Sequence, residues 1–124
     1  MNPVESAGRP LIALVSNVPL LGEAVTAALA EIAEVHWFPA DGGDTVGLLR
    51  ALRPDGVVVD TDSEAAEAAA YVRDTPWPLV HVRLAERRLR VMRDGHWEDR
   101  QVEATPQAIR NELIGAIFGR RADA

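Results

Sequence analysis

Four short, mainly apolar runs, punctuated by turn residues and separated by helical patterns, constrain this fold most. The runs are LIALV at 11–15, VHWF at 35–38, VVV at 57–59 and LVHV at 79–82. Unbroken apolar runs of this length suit strands buried on both faces. After the first, Pro19 suits the opening turn of a helix, where its missing N–H costs nothing. Leu21, Ala24, Val25, Ala28, Leu29 and Ile32 then recur on one helical face. Asp44 is positioned to cap a second helix reaching Leu52, after a loop at 40–44. Arg53-Pro54-Asp55-Gly56 is turn chemistry. Thr61-Asp62-Ser63 opens a third, alanine-rich helix that runs to about Asp74, with Glu64 and Glu67 suited to its dipole. Strand–helix alternation with short loops predicts a doubly wound parallel sheet with helices on both faces.

The last third breaks that rhythm. RRLRVMR at 87–93 alternates basic and apolar residues, as a half-buried strand does. Asp94-Gly95 is a favoured two-residue turn, and residues 97–102 form the expected return strand. A β-hairpin is therefore expected where another crossover helix would sit. Thr105-Pro106 starts a final helix with Ile109, Leu113, Ile117 and Phe118 as its apolar face and Gly119 as its stop. The expected organisation is a polar lead-in at 1–10, one domain at 11–119 and a polar tail at 120–124.

Composition narrows the chemistry. The chain has 124 residues, enough for one domain, and 48% of them are hydrophobic. It has no cysteine, so disulfides and thiolate metal sites are excluded. It also has no lysine, so every fixed side-chain cation is an arginine. No run approaches the roughly 20 apolar residues of a membrane span, and no signal peptide is expected. The net charge of −6 argues against non-specific nucleic-acid binding. A cytoplasmic protein without membrane or direct nucleic-acid partners is the expectation.

The segment LIALVSNVPLLGEAVTAAL resembles the opening of a response-regulator receiver, with Val18-Pro19-Leu20 in the place of histidine-proline-leucine. LLRALRPDGVVVDTD is similar to the receiver stretch that leads into the phosphoacceptor aspartate, and Asp60 falls on that aspartate. Pro78-Leu79-Val80-His81-Val82-Arg83 resembles the fourth receiver strand. The resemblance covers about residues 11–83 and implies a receiver-like, flavodoxin-like α/β fold with a β-hairpin replacing the fourth helix.

The departures from the family decide the functional expectation. Receiver phosphorylation needs Mg²⁺, a hard cation that prefers carboxylates. Ser16 and Asn17 stand where the resemblance places the acidic pair, and Arg83 stands where it places the sensor threonine or serine. The family's lysine has no counterpart. Asp60 is thus the phosphoacceptor equivalent within a degenerate pocket of Ser16, Asn17 and Arg83. Two arrangements are open. Arg83 pairs with Asp60 in place of metal and lysine, or Arg83 points to solvent while Asp60 caps the next helix.

Other features carry less. His36, His81 and His96 fall on separate expected strands, without helical zinc spacing, so no metal site is expected. There is no GxSxG, GxGxxG or GxxxxGK[ST], and no enzyme activity or cofactor is expected. The arginines of the hairpin are surrounded by acids, and cross-strand ion pairs are expected to absorb much of their charge. Arg88, Arg90 and Trp97 are the expected partner surface, since tryptophan and arginine anchor interfaces. The expected function is a phosphorylation-independent regulatory or protein-interaction module. It would pair with a protein partner or with itself, as a homodimer joined through the hairpin. The alternative is a small-molecule sensor binding at the strand ends.

Overall fold

A computed structural model describes residues 9–40 and 43–118, the last by its backbone. Most of the polar lead-in, Asp41 and Gly42 of the expected loop, the Phe118 side chain, the stop at Gly119 and the polar tail lie outside the described residues.

The described chain runs β1 (Leu11–Val15), α1 (Pro19–Leu29), β2 (Glu34–Phe38), α2 (Thr45–Leu52), β3 (Gly56–Val59), α3 (Asp62–Val72) and β4 (Leu79–Arg83). The hairpin β5 (Arg88–Arg93) and β6 (His96–Glu103) follows, then α4 (Pro106–Leu113), which continues as a π-helical turn (Ile114–Phe118). Local chemistry fixes several boundaries. The side chains of Asp44, Thr61 and Thr105 accept hydrogen bonds from the backbone N–H groups of Gly47, Glu64 and Ala108, capping α2, α3 and α4. Asp94 and Gly95 both have positive φ, as the two-residue hairpin turn requires. Helix α1 ends at Leu29, earlier than the apolar pattern implied. Beyond it the Arg9 guanidinium donates to the carbonyls of Ala30 and Ala33, and Ile32 packs against the core from a turn.

The six strands form one sheet in the order β2-β1-β3-β4-β5-β6. β2, β1, β3 and β4 are parallel, β5 runs antiparallel to β4, and β6 antiparallel to β5. The strand order reverses beside β1, where open α/β sheets place their crevice. One face of the sheet packs Ile12, Leu14, Val58, Val80, Leu89 and Val91 against α1 and α4 through Val25, Leu29, Ile109 and Leu113. The other packs Ala13, Val15, Val57, Val59 and Leu79 against α2 and α3 through Leu49, Ala65, Ala68 and Val72. On that second face Met92 of β5 is covered in part by Trp97 of β6. No helix among the described residues is long and apolar enough to cross a membrane.

Two contacts orient the site. Trp37 lies over Gly22 so closely that a Cβ there would come within 2.2 Å of the indole ring. The indole N–H donates to the Ser16 carbonyl at 3.0 Å. At the opposite ends of the strands, the Leu11 N–H donates to the Asp55 carboxylate at 2.8 Å, tying the Pro54-Asp55 turn to β1.

Candidate functional site

Ser16 follows β1 and Asp60 follows β3, so the parallel register brings both to the carboxyl ends of adjacent strands. Ser16 is buried, and its hydroxyl donates to Asp60 Oδ2 at 2.6 Å while accepting from the Val18 N–H at 3.0 Å. Its backbone N–H donates to the Phe38 carbonyl. Every polar group of Ser16 is therefore engaged. Asp60 Oδ1 is shielded from solvent and has no hydrogen-bond partner among the described residues.

Asn17 is used differently. Its amide nitrogen donates to the Ala40 carbonyl, and its oxygen accepts from the Ala40 N–H at 2.8 Å. This two-point clamp holds the chain leaving β2 and leaves the carboxamide turned away from Asp60.

The expected pairing of Arg83 with Asp60 is not formed. Arg83 donates to Glu86 at 3.3 Å instead, three residues along its own loop. The other arrangement fails as well, because Thr61 and not Asp60 caps α3. Ser16, which the resemblance places in the pocket of Asp60 without a contact assigned to it, supplies the carboxylate's partner instead. Ser16 and Asn17 line one shallow depression with Pro19, Trp37 and Pro39. Asp60 and Arg83 line another, a cleft of about 240 Å³ shared with Asp62, His81 and Glu86. The residues of the expected degenerate pocket are thus split between two hollows joined by the Ser16–Asp60 hydrogen bond.

In the sequence His81 was weighed only as a metal ligand and set aside. It is buried on β4, between two charged groups. Arg90 lies opposite it in the register and approaches its Nδ1 at 3.4 Å. An arginine only donates, so Nδ1 is the acceptor and Nε2 carries the proton. That nitrogen faces Asp62 Oδ1 at 3.4 Å. Burial and the adjacent Arg90 charge lower the His81 pKa below its ordinary value, so the ring is neutral at pH 7. The Arg90 guanidinium also stacks over the Trp97 ring, 4.0 Å from its centroid. A chain of contacts, Asp62–His81–Arg90–Trp97, thus runs from the strand-end cleft to the hairpin face.

The expected ion pairing of the hairpin is not found around Arg88 and Arg90. Arg88 donates to the neutral Gln101 at 3.3 Å, and Arg90 meets His81 and Trp97. On the opposite face of the hairpin, Arg100 bridges Glu98 at 2.9 Å and Glu112 of α4 at 3.0 Å. Another site that sequence reasoning missed is Glu64, a buried carboxylate that accepts from the equally buried Thr45 hydroxyl and joins α2 to α3. Among the described residues, no group of three His, Asp or Glu side chains is placed to hold a metal. Comparison with protein-family models, curated proteins and solved structures finds no match to this chain.

Proposed function

We propose that this chain is a receiver-like regulatory module that acts by binding a protein, and that it does so without phosphotransfer. The state of Asp60 carries the proposal. A phosphoacceptor carboxylate needs one oxygen free to attack phosphorus and a cation to balance the incoming charge. Here Oδ2 is held by the Ser16 hydroxyl, Oδ1 is shielded, Ser16 and Asn17 stand where the resemblance places the acidic pair, and the chain has no lysine. The receiver-like part of the proposal rests on the strand order around β1, on Asp60 at the end of β3 and on the sequence resemblance. The binding part rests on the hairpin, which fills the place of a covering helix and presents Arg88, Arg90 and Trp97 on one face.

The alternative, a small-molecule sensor at the strand ends, has weaker support. The cleft beside Asp60 is about 240 Å³. Ligand sites usually start near 300 Å³ and are predominantly apolar, whereas this cleft is lined mainly by charged groups.

Incubation with acetyl phosphate and Mg²⁺, followed by intact mass measurement, tests the proposal. The mass is expected to stay unchanged. A phosphoryl adduct that disappears in Asp60→Ala overturns it.

A further inference from the structure

The hairpin carries a row of arginines that its own fold does not neutralise. Residues i and i+2 of a strand share one face and lie about 7 Å apart. Arg88, Arg90 and Met92 therefore project together, on the side of the sheet that α2 and α3 cover further along. The register sets Arg83 of β4 directly opposite Arg88, and His81 directly opposite Arg90. Like charges facing each other across a strand pair destabilise it. Arg83 is drawn to Glu86, but among the described residues Arg88 and Arg90 have no carboxylate within ion-pair distance; Arg88 donates to Gln101 although Glu103 stands opposite it in the register. Asp99 stands opposite Arg90 in the register, yet the guanidinium leans the other way, onto Trp97 and towards a neutral histidine. The Arg90 Nε–H is buried and has no acceptor.

Resting on the reading of this chain as a binding module, we infer that this face docks an acidic segment of a different protein. One carboxylate of that segment sits between Arg88 and Arg90, and a neighbouring apolar side chain lies against Trp97. A carboxylate supplies what the face lacks: a negative charge beside two neighbouring arginines whose partners are neutral. The part of the indole left uncovered by Met92 and Arg90 supplies the adjoining apolar contact. A phosphate backbone fits less well, because its continuous charge would run on over Asp62, Glu86 and Asp99 around the patch, whereas a single carboxylate seated at the arginines would not. A second copy fits less well too. A two-fold interface sets the same patch against itself, and these arginines would meet arginines.

Panning a displayed random-peptide library against the full chain tests the inference. Enriched peptides are expected to share an Asp or Glu beside an apolar residue. A synthetic peptide of the enriched sequence should bind at least tenfold more weakly to Arg88→Gln and to Arg90→Gln, and more weakly in high salt. Arg88 is exposed, so Arg88→Gln keeps the comparison valid even if Arg90→Gln disturbs the fold. Enrichment of peptides without acids, acidic peptides indifferent to Arg88→Gln, or no enrichment at all overturns the inference. So does arginine-dependent binding of a labelled single-stranded oligonucleotide, or a dimer in sedimentation that Arg88→Gln abolishes. The acetyl phosphate experiment stands apart from these outcomes. An unchanged mass with no acidic peptide defeats this inference alone, whereas an Asp60 adduct defeats the wider proposal.

Discussion

The parallel part of the sheet and the hairpin at its edge are built on different terms. β1, β3 and β4 are buried on both faces, between helices on either side. The hairpin is sealed on one face by α4, while on the other its cover is made by its own side chains, Trp97 over Met92 and Arg90 over Trp97. The first region is held by apolar burial, which is insensitive to pH and salt. The second relies on stacked and charged groups, whose worth depends on both. The foothold proposed for a partner is at the hairpin, where the sheet is still short of a layer.

The largest effect should fall in the parallel region. Leu14 lies at the centre of β1 with none of its surface exposed. Leu14→Ala is expected to lower stability by about 2–5 kcal/mol, measured by urea denaturation. Val102, on the edge strand β6, is 44% exposed. Val102→Ala should stay within about 0.5 kcal/mol. Similar losses at the two positions would break the comparison.

Those differences also explain what the sequence made legible. The runs LIALV, VVV and LVHV announce buried parallel strands because both faces demand apolar residues. The hairpin was legible from alternation and from Asp94-Gly95, whose positive φ angles are a local matter. The Ser16–Asp60 contact was not, since it joins residues 44 positions apart through the β1–β3 register. Glu64 read only as an acid suited to the dipole at a helix start, and the packing of α3 on α2 buries it beside Thr45. The hairpin ion pairs were misjudged for a related reason. The register does set Glu103 and Asp99 opposite Arg88 and Arg90, but those guanidiniums turn to Gln101, His81 and Trp97, while Glu98 pairs with Arg100 on the other face.

An intermediate effect is expected at that α2–α3 junction. Thr45→Val keeps the shape but removes the hydroxyl that serves the Glu64 carboxylate. Leaving a buried acceptor unserved costs about 1–3 kcal/mol. The double variant Thr45→Val, Glu64→Leu should recover part of that loss in the same urea measurement. A double variant weaker than Thr45→Val would show that the pair is not acting as a unit.

The pH dependence distinguishes the hairpin region next. The folded-state pKa of His81 is lowered from its ordinary 6.5, first by burial and then by Arg90. As pH falls, the unfolded chain therefore takes up this proton before the folded one. The contribution is fully present above pH 6.5 and is lost as pH falls from there towards the folded-state value. The slope from this one group cannot exceed about 1.4 kcal/mol per pH unit. His81→Asn should flatten the decline in stability just below pH 6.5, followed by thermal melts across that range. An unchanged slope would remove His81 from the account.

The smallest effect separates the two faces of the hairpin itself, and there the sign matters more than the size. Arg100 is three-quarters buried between Glu98 and Glu112, and hydrogen bonds to both carboxylates raise its pKa. Arg100→Gln removes a partly shielded pair that ties β6 to α4, and should lower stability by about 0.5–1 kcal/mol. Among the described residues Arg88 has only a neutral hydrogen-bond partner; it faces Arg83 across one strand pair and Glu103, without an ion pair, across the other. Arg88→Gln removes a repulsion, so stability should hold or rise slightly. Added salt should shrink both differences, since it screens attraction and repulsion alike. If Arg88→Gln instead destabilised the chain as much as Arg100→Gln, the arginine would be neutralised within the fold. The open face would then have nothing to offer an acidic partner.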